Sequence, residues 1–123
     1  MQKKKKLVVV EDDELNQLAY SGVLSKFYDV IICGSDKEFY LALTNNSYDL
    51  FIINLALNCE KDGLDLIKEL RLMKEYKKTP IIVVTAYAFK RDEINSLAAG
   101  ANKFITKPFS NKTLLEEIEN MFK

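Results

Sequence analysis

Short apolar runs alternate with helix-period segments along the whole chain, and that alternation leaves few folds open. Residues 7–10, 30–33, 50–53, 81–84 and 103–106 read as strands. The first four runs are continuous rather than alternating, as expected when helices cover both faces of a parallel sheet. Between them, apolar residues recur three to four apart: Leu64, Ile67, Leu70 and Met73 make one stripe, and Leu114, Ile118 and Met121 another. Ser35 followed by Glu38 offers a capping box for the second helix, Ser110 a cap for the last, and Gly100 a stop for the fourth. Five βα repeats in 123 residues predict an α/β fold. The expected architecture is one doubly wound five-stranded parallel sheet flanked by five helices. It fills residues 1–123 as a single domain, with no linker or low-complexity tract.

In such sheets ligands bind outside the carboxyl ends of the strands, near the point where strand order reverses. The first strand ends in Glu11-Asp12-Asp13-Glu14, the third in Asn54, the fourth in Thr85, and the fifth in Thr106-Lys107-Pro108. Carboxylates, an amide, a hydroxyl and an ammonium are therefore expected on one edge. The first loop has no glycine, so it cannot cradle a dinucleotide phosphate, and its carboxylates would repel one. No GxGxxG or P-loop pattern occurs. Taken singly, each residue has a plain structural use. An acidic run after a strand caps the next helix, Thr85 can be a β-branched strand end, and Lys107 a snorkelling surface lysine. Their convergence favours a site.

The chain has no histidine, which removes the commonest general base and metal ligand and any phosphohistidine donor. Chemistry here must run on carboxylates, lysine, hydroxyls or a metal ion. Adjacent carboxylates suit a hard divalent cation such as Mg²⁺, and an opposing lysine and hydroxyl suit a phosphoryl group. Together they describe phosphoryl transfer by positioning and electrostatics. Lysine plus arginine balances aspartate plus glutamate at 18 each, so no net field draws the chain to nucleic acid or anionic lipid. The run Lys3, Lys4, Lys5, Lys6 reads as a solvated flank. No apolar stretch reaches a membrane span. Cys33 and Cys59, without CxxC spacing, fit reduced thiols in a cytoplasmic protein.

Four motifs, in order and spread over the whole chain, resemble the response-regulator receiver family. They are Val8-Val9-Val10-Glu11-Asp12-Asp13-Glu14-Leu15-Asn16; Asp49-Leu50-Phe51-Ile52-Ile53-Asn54-Leu55 with Lys61-Asp62-Gly63; Val84-Thr85-Ala86; and Gly100-Ala101 with Phe104-Ile105-Thr106-Lys107-Pro108-Phe109. The resemblance implies a flavodoxin-like sheet in the order 2-1-3-4-5. It also implies roles by position. Asp12 would hold Mg²⁺ directly and Glu11 through water, and Ala56 would lend its backbone carbonyl. Thr85 would be the switch hydroxyl, Ala86 the small residue beside it, and Lys107 the phosphoryl-binding cation, with Lys107-Pro108 cis. Phe104 would be the switch aromatic, although strand aromatics are commonly core. Ala56 and Tyr87 would tune the lifetime of an acyl phosphate. Tyr87 and Phe89 read equally well as partner anchors or as cover for the fourth helix.

The chain departs from the family at its centre: Asn54 stands where the phosphoacceptor aspartate belongs. An amide shares its nitrogen lone pair with the carbonyl and is no nucleophile, so ordinary phosphorylation is expected to fail; the Asn54 oxygen can still contact the metal beside Glu11, Asp12 and Ala56, but with one formal charge gone Mg²⁺ is expected to bind more weakly. The segment 55–61 lacks the usual proline and is one residue longer than the commonest version. Three explanations stand: a substituted acceptor in an otherwise intact pocket, a pseudo-receiver acting by binding alone, or acceptance by Asp12 or Asp13. The expected class is a signalling module rather than an enzyme. Its partners would be a histidine kinase or phosphotransfer protein, and an output partner or second copy on the fourth helix, fifth strand and fifth helix. Neither nucleic acid nor membrane is expected. Leu15-Asn16 resembles receivers of hybrid histidine kinases. A small Mg²⁺-dependent phosphatase is the rival class, but its two aspartates spaced two apart are not matched by Glu11-Asp12-Asp13.

Overall fold

In the computed structural model, which describes residues 3–86 and 89–123, the expected alternation is realised. The elements run β1 (Lys6–Val10), α1 (Glu14–Leu24), β2 (Asp29–Cys33), α2 (Asp36–Asn45), β3 (Leu50–Asn54) and α3 (Gly63–Leu72). A 3-10 turn at Lys74–Tyr76 leads to β4 (Ile81–Thr85), α4 (Lys90–Ala99), β5 (Lys103–Thr106) and α5 (Asn111–Met121). The strands pair in parallel in the order β2-β1-β3-β4-β5. Strand side chains alternate between faces, and this splits the core in two. Val8, Val10, Phe51, Ile53, Ile81 and Val83 pack against α2 and α3 through Phe39, Leu66, Ile67 and Leu70. Leu7, Val9, Leu50, Ile52, Ile82 and Val84 pack against α1 and α5 through Tyr20, Leu24, Leu114 and Ile118. Phe51 anchors the first layer with edge-to-face contacts to Phe39 at 6.0 Å and Tyr76 at 5.0 Å.

One expectation needs correction. The run 30–33 was expected to be covered on both faces, but β2 is an edge strand and only Cys33 in it is buried. Ile31 is 42% exposed. A continuous apolar run reports a parallel strand, not its place in the sheet.

The caps explain the boundaries. Ser35 accepts a hydrogen bond from Glu38 N at 3.2 Å, yet the Glu38 carboxylate accepts from Gly34 N, so only half of the expected box forms. The full reciprocal box lies at Asp62 and Asp65, heading α3. Ser110 caps α5 as expected. Gly100 ends α4 with φ 125°, a conformation that glycine alone adopts freely. Both cysteines are free. Burial, then the charge of Glu38, pushes the Cys33 thiol up to about 12.

Candidate functional site

The acidic run divides its work. Asp13 caps α1, accepting from Asn16 N at 2.9 Å, which is the plain structural use. Glu11 turns inward instead and is 1% exposed. A buried carboxylate needs partners, and this one has three. Oε1 accepts from Lys107 Nζ at 2.8 Å, while Oε2 accepts from Asp13 N at 3.2 Å and from Asn54 Nδ2 at 3.4 Å. Gln17 Nε2 donates to the Glu11 carbonyl at 2.6 Å and fixes the turn into α1.

Asn54 closes β3 and is buried. Its Nδ2 donates to the Ala56 carbonyl at 2.7 Å as well as to Glu11, and its Oδ1 accepts from Lys107 Nζ at 3.5 Å. These partners fix the amide's orientation. Turned over, it would set its oxygen against two acceptors and its NH₂ against an ammonium. Asp12 is half-buried and accepts from Asn58 N at 2.8 Å through Oδ2, tying the β3–α3 loop to β1.

Thr85, at the end of β4, is fully buried, and its carbonyl accepts from Lys107 N at 2.7 Å. Lys107-Pro108 is cis, as the resemblance implies. Ala86 is exposed beside Thr85. Phe104 is half-buried and packs against the α2–α3 layer of the core. Phe89 is 59% exposed at the start of α4. Tyr87 lies outside the described residues. Glu11, Asp12, Asn54, Ala56, Thr85 and Lys107 thus share the strand-end edge, whereas Asp13 and Phe104 serve cap and core.

Two supports of this edge make contacts that the sequence does not show. The first is Gly63: a Cβ there would lie 2.4 Å from the Asn54 carbonyl oxygen and 2.9 Å from Leu55 Cα. Gly63→Ala must therefore push α3 away from the strand that carries Asn54. A loss of about 1–3 kcal/mol in urea denaturation is expected; an unchanged midpoint would show that the contact yields freely.

The second is a tether on the β3–α3 loop. Asp36, 5% exposed, accepts from Lys61 N at 3.2 Å. Lys61 Nζ meets Glu69 Oε1 at 2.6 Å and sits 5.1 Å from the centre of the Tyr40 ring, and Tyr40 donates its hydroxyl to Glu69. The hydrogen bond to Glu69 holds the Lys61 ammonium well above its ordinary range. Burial alone would raise Glu69, but hydrogen bonds from Lys61 and Tyr40 overcome it and hold the carboxyl below its usual range. The Asp62-x-x-Asp65 spacing, not among the expected caps, is the sequence signal from which this pinning could have been found.

Beside Lys107 a cleft of about 250 Å³ opens between α1 and α5, lined mainly by Tyr20, Val23, Phe109 and Leu114. Burial, then the charge of Glu11, raises the Tyr20 phenol. Among the described residues no three or more His, Cys, Asp or Glu side chains are grouped to hold a metal ion. The oxygens of Glu11, Asp12 and Ala56 suit a hard cation in kind. Asn54, however, presents N–H among them rather than a third anionic oxygen. No helix among the described residues is long and apolar enough to cross a membrane.

Comparison with known proteins agrees with this geometry. Residues 7–119 match the response regulator receiver domain family. The chemotaxis protein CheY homolog of Campylobacter jejuni is 34% identical over 119 residues, 94% of this chain and 91% of that protein. Chemotaxis protein CheY1 of Helicobacter pylori is 33% identical over 116 residues, covering 93% and 94%. The receiver domain of a sensor histidine kinase from Pseudomonas aeruginosa superposes with a TM-score of 0.86 at 26% identity, covering 96% of this chain and 97% of that one. That protein holds a magnesium ion in its active site cleft. Chemotaxis protein CheY4 of Vibrio cholerae, at 24% identity and a TM-score of 0.90 over 96% and 98%, shares the fold. An acidic first-strand terminus joined to a lysine after the fifth strand, on a sheet ordered 2-1-3-4-5 and with relatives above 30% identity, places the chain in the response regulator receiver family of two-component signalling.

Proposed function

We propose that this chain is a receiver whose pocket is assembled but takes no phosphoryl group at Asn54. One observation carries the reading. The side chain at the acceptor position spends its Nδ2 hydrogens on Ala56 O and Glu11 and offers no anionic oxygen for attack on phosphorus. In the family's arrangement Lys107 would bind the phosphoryl group and Thr85 would follow it. Here the Lys107 ammonium is engaged by Glu11 and Asn54. Glu11, Asp12 and the Ala56 carbonyl would hold a magnesium ion, which when bound supplies positive charge beside the transferring group. With one anionic ligand fewer, Mg²⁺ binds more weakly than in a receiver carrying aspartate. Acceptance by Asp12 or Asp13 is disfavoured because both are committed, to Asn58 N and to the α1 cap. The chain turns over no phosphate ester.

Its partners are a histidine kinase or phosphotransfer protein and an output partner. The output face we assign is α4, β5 and α5, where Phe89, Ile94 and Leu97 leave large apolar surface exposed. A binding role without phosphorylation, as a pseudo-receiver, draws on the same closed network of Glu11, Asn54 and Lys107. The free thiols support a cytoplasmic setting.

The test is intact mass after incubation with Mg²⁺ and a small acyl-phosphate donor, for this chain and for Asn54→Asp. A phosphoryl adduct on the variant alone is expected. An adduct on both proteins would move the acceptor to Asp12 or Asp13, and one on neither would leave only the binding role.

A further inference from the structure

The balanced charge of the sequence conceals a segregated surface. All five strands start on the edge opposite the pocket. Hydrogen bonds knit that edge together: Asp29 N donates to Lys5 O, Asp49 N to Lys6 O, Lys4 Nζ to Ser25 O, and Lys6 Nζ to Asn46, while Ser47 meets Glu75. Three of the segments that meet at this edge bring lysines to it. Lys4 and Lys5 precede β1, Lys26 follows α1, and Lys74, Lys77 and Lys78 lie between α3 and β4; all six are exposed. Among the described residues none of the six pairs with a carboxylate. Asp29, Asp49 and Glu75 at the strand starts and the 3-10 turn, with Glu119 beside Phe27 near the end of α5, are the carboxylates that face these lysines, so six cations meet four anions there; Asp49 accepts from Lys6 N at 2.8 Å and Glu75 from Ser47. Two large apolar side chains are exposed on the segments that carry these lysines: Phe27, 55% exposed in the α1–β2 connection next to Lys26, and Leu72, 83% exposed at the end of α3, two residues before Lys74.

From this placement we infer that the strand-start edge is a docking surface for an anionic lipid bilayer. Five-residue strands rising about 3.3 Å per residue hold the pocket's carboxylates roughly 16 Å away. That exceeds the Debye length of about 8 Å at physiological salt, so a membrane senses the excess of lysine over carboxylate on this edge and not the zero net charge of the chain. The acidic pocket edge faces away from the lipid and is left free. Phe27 and Leu72 decide between polyanions. A nucleic acid would engage the lysines alone, whereas an interface takes lysines at headgroup level and apolar side chains just below.

Co-sedimentation tests this with vesicles of phosphatidylcholine alone and of equal parts phosphatidylcholine and phosphatidylglycerol. The intact chain should pellet only with the anionic vesicles, and added salt should release it. The double variant Lys77→Gln, Lys78→Gln should lose about twenty-five-fold in partitioning, about fivefold per lysine. Phe27→Ser with Leu72→Ser should lose vesicle binding severalfold while leaving any retention on duplex DNA unchanged. All four positions are exposed, so thermal melts should match the parent. Failure to pellet with anionic vesicles overturns the inference, as does equal binding to neutral ones. Binding to DNA as tight as to lipid, with the apolar variant unaffected in both, would make the edge a general polyanion site instead.

Discussion

Asn54→Asp is expected to turn a fold that responds only weakly to divalent cations into one that depends on them, losing about 2 kcal/mol when the metal is withdrawn. The amide nitrogen now donates to Ala56 O at 2.7 Å and faces Glu11 Oε2 at 3.4 Å. A carboxylate oxygen in that place forfeits a hydrogen bond of about 1 kcal/mol. It also sets an anion against Glu11, where unit charges 4 Å apart repel by about 4 kcal/mol at an effective dielectric of 20. Lys107 offsets part of this, since its ammonium already spans Glu11 and Asn54. Magnesium would reverse the remainder by binding only the folded state. Urea unfolding of both proteins in Mg²⁺ and in chelator measures it. The variant's midpoint should fall by about 1 M in chelator while the parent's moves far less. A parent that gains as much from Mg²⁺ as the variant would show that the amide does not replace the cation among these oxygens.

Arg71→Ala is expected to cost about 3–5 kcal/mol, although Arg71 touches nothing in the pocket. Its guanidinium donates to Gly100 O from Nε at 3.0 Å and from Nη2 at 2.8 Å. Further bonds reach Tyr76 O and Thr79 O, both at 2.7 Å, and Asn102 Oδ1 at 2.9 Å. Asn102 Oδ1 in turn accepts from Ile81 N, the first residue of β4. One side chain thus joins α3, the turn before β4 and the loop from α4 to β5. Burial lowers the pKa of this guanidinium, and its removal leaves three carbonyls short of donors at once. Lysine cannot reproduce a planar fork, so Arg71→Lys should recover less than half of the loss in chemical denaturation. A cost below about 1 kcal/mol for Arg71→Ala would mean that water replaces the guanidinium fully.

What could be read in the sequence, and what could not, follows from the range of the interactions. The run at 103–106 was placed to the residue, and the other four strands gained one residue each at an end, such as Lys6 and Asn54. Short-period patterns carry that information. Edge position is not periodic, so the exposed Ile31 was missed. The helix stripe was legible at Ile67 and Leu70, but Leu66 took the place beside them that Leu64 had seemed to hold. The site's residue types were legible because the topology sends every strand end to one edge. Their partners were not. Glu11 and Lys107 are 96 positions apart, and Asp36 and Lys61 are 25 apart. Nor did a balanced composition tell where the lysines would gather.

The loop between Asn54 and Gly63 is a connection at the strand-end edge, and connections commonly move more than the elements they join. In this protein Asp12 grips its middle at Asn58, Asp36 grips Lys61, and Lys61 grips α3 through Glu69. Excursions of such a segment are concerted, because no one bond can open far while the others hold. The amides of Asn58 and Lys61, which make these bonds, are therefore expected to exchange more slowly than the unbonded amides of the loop between them. Recognition at this rim is then by a preformed shape, with little ordering entropy left for a partner to overcome.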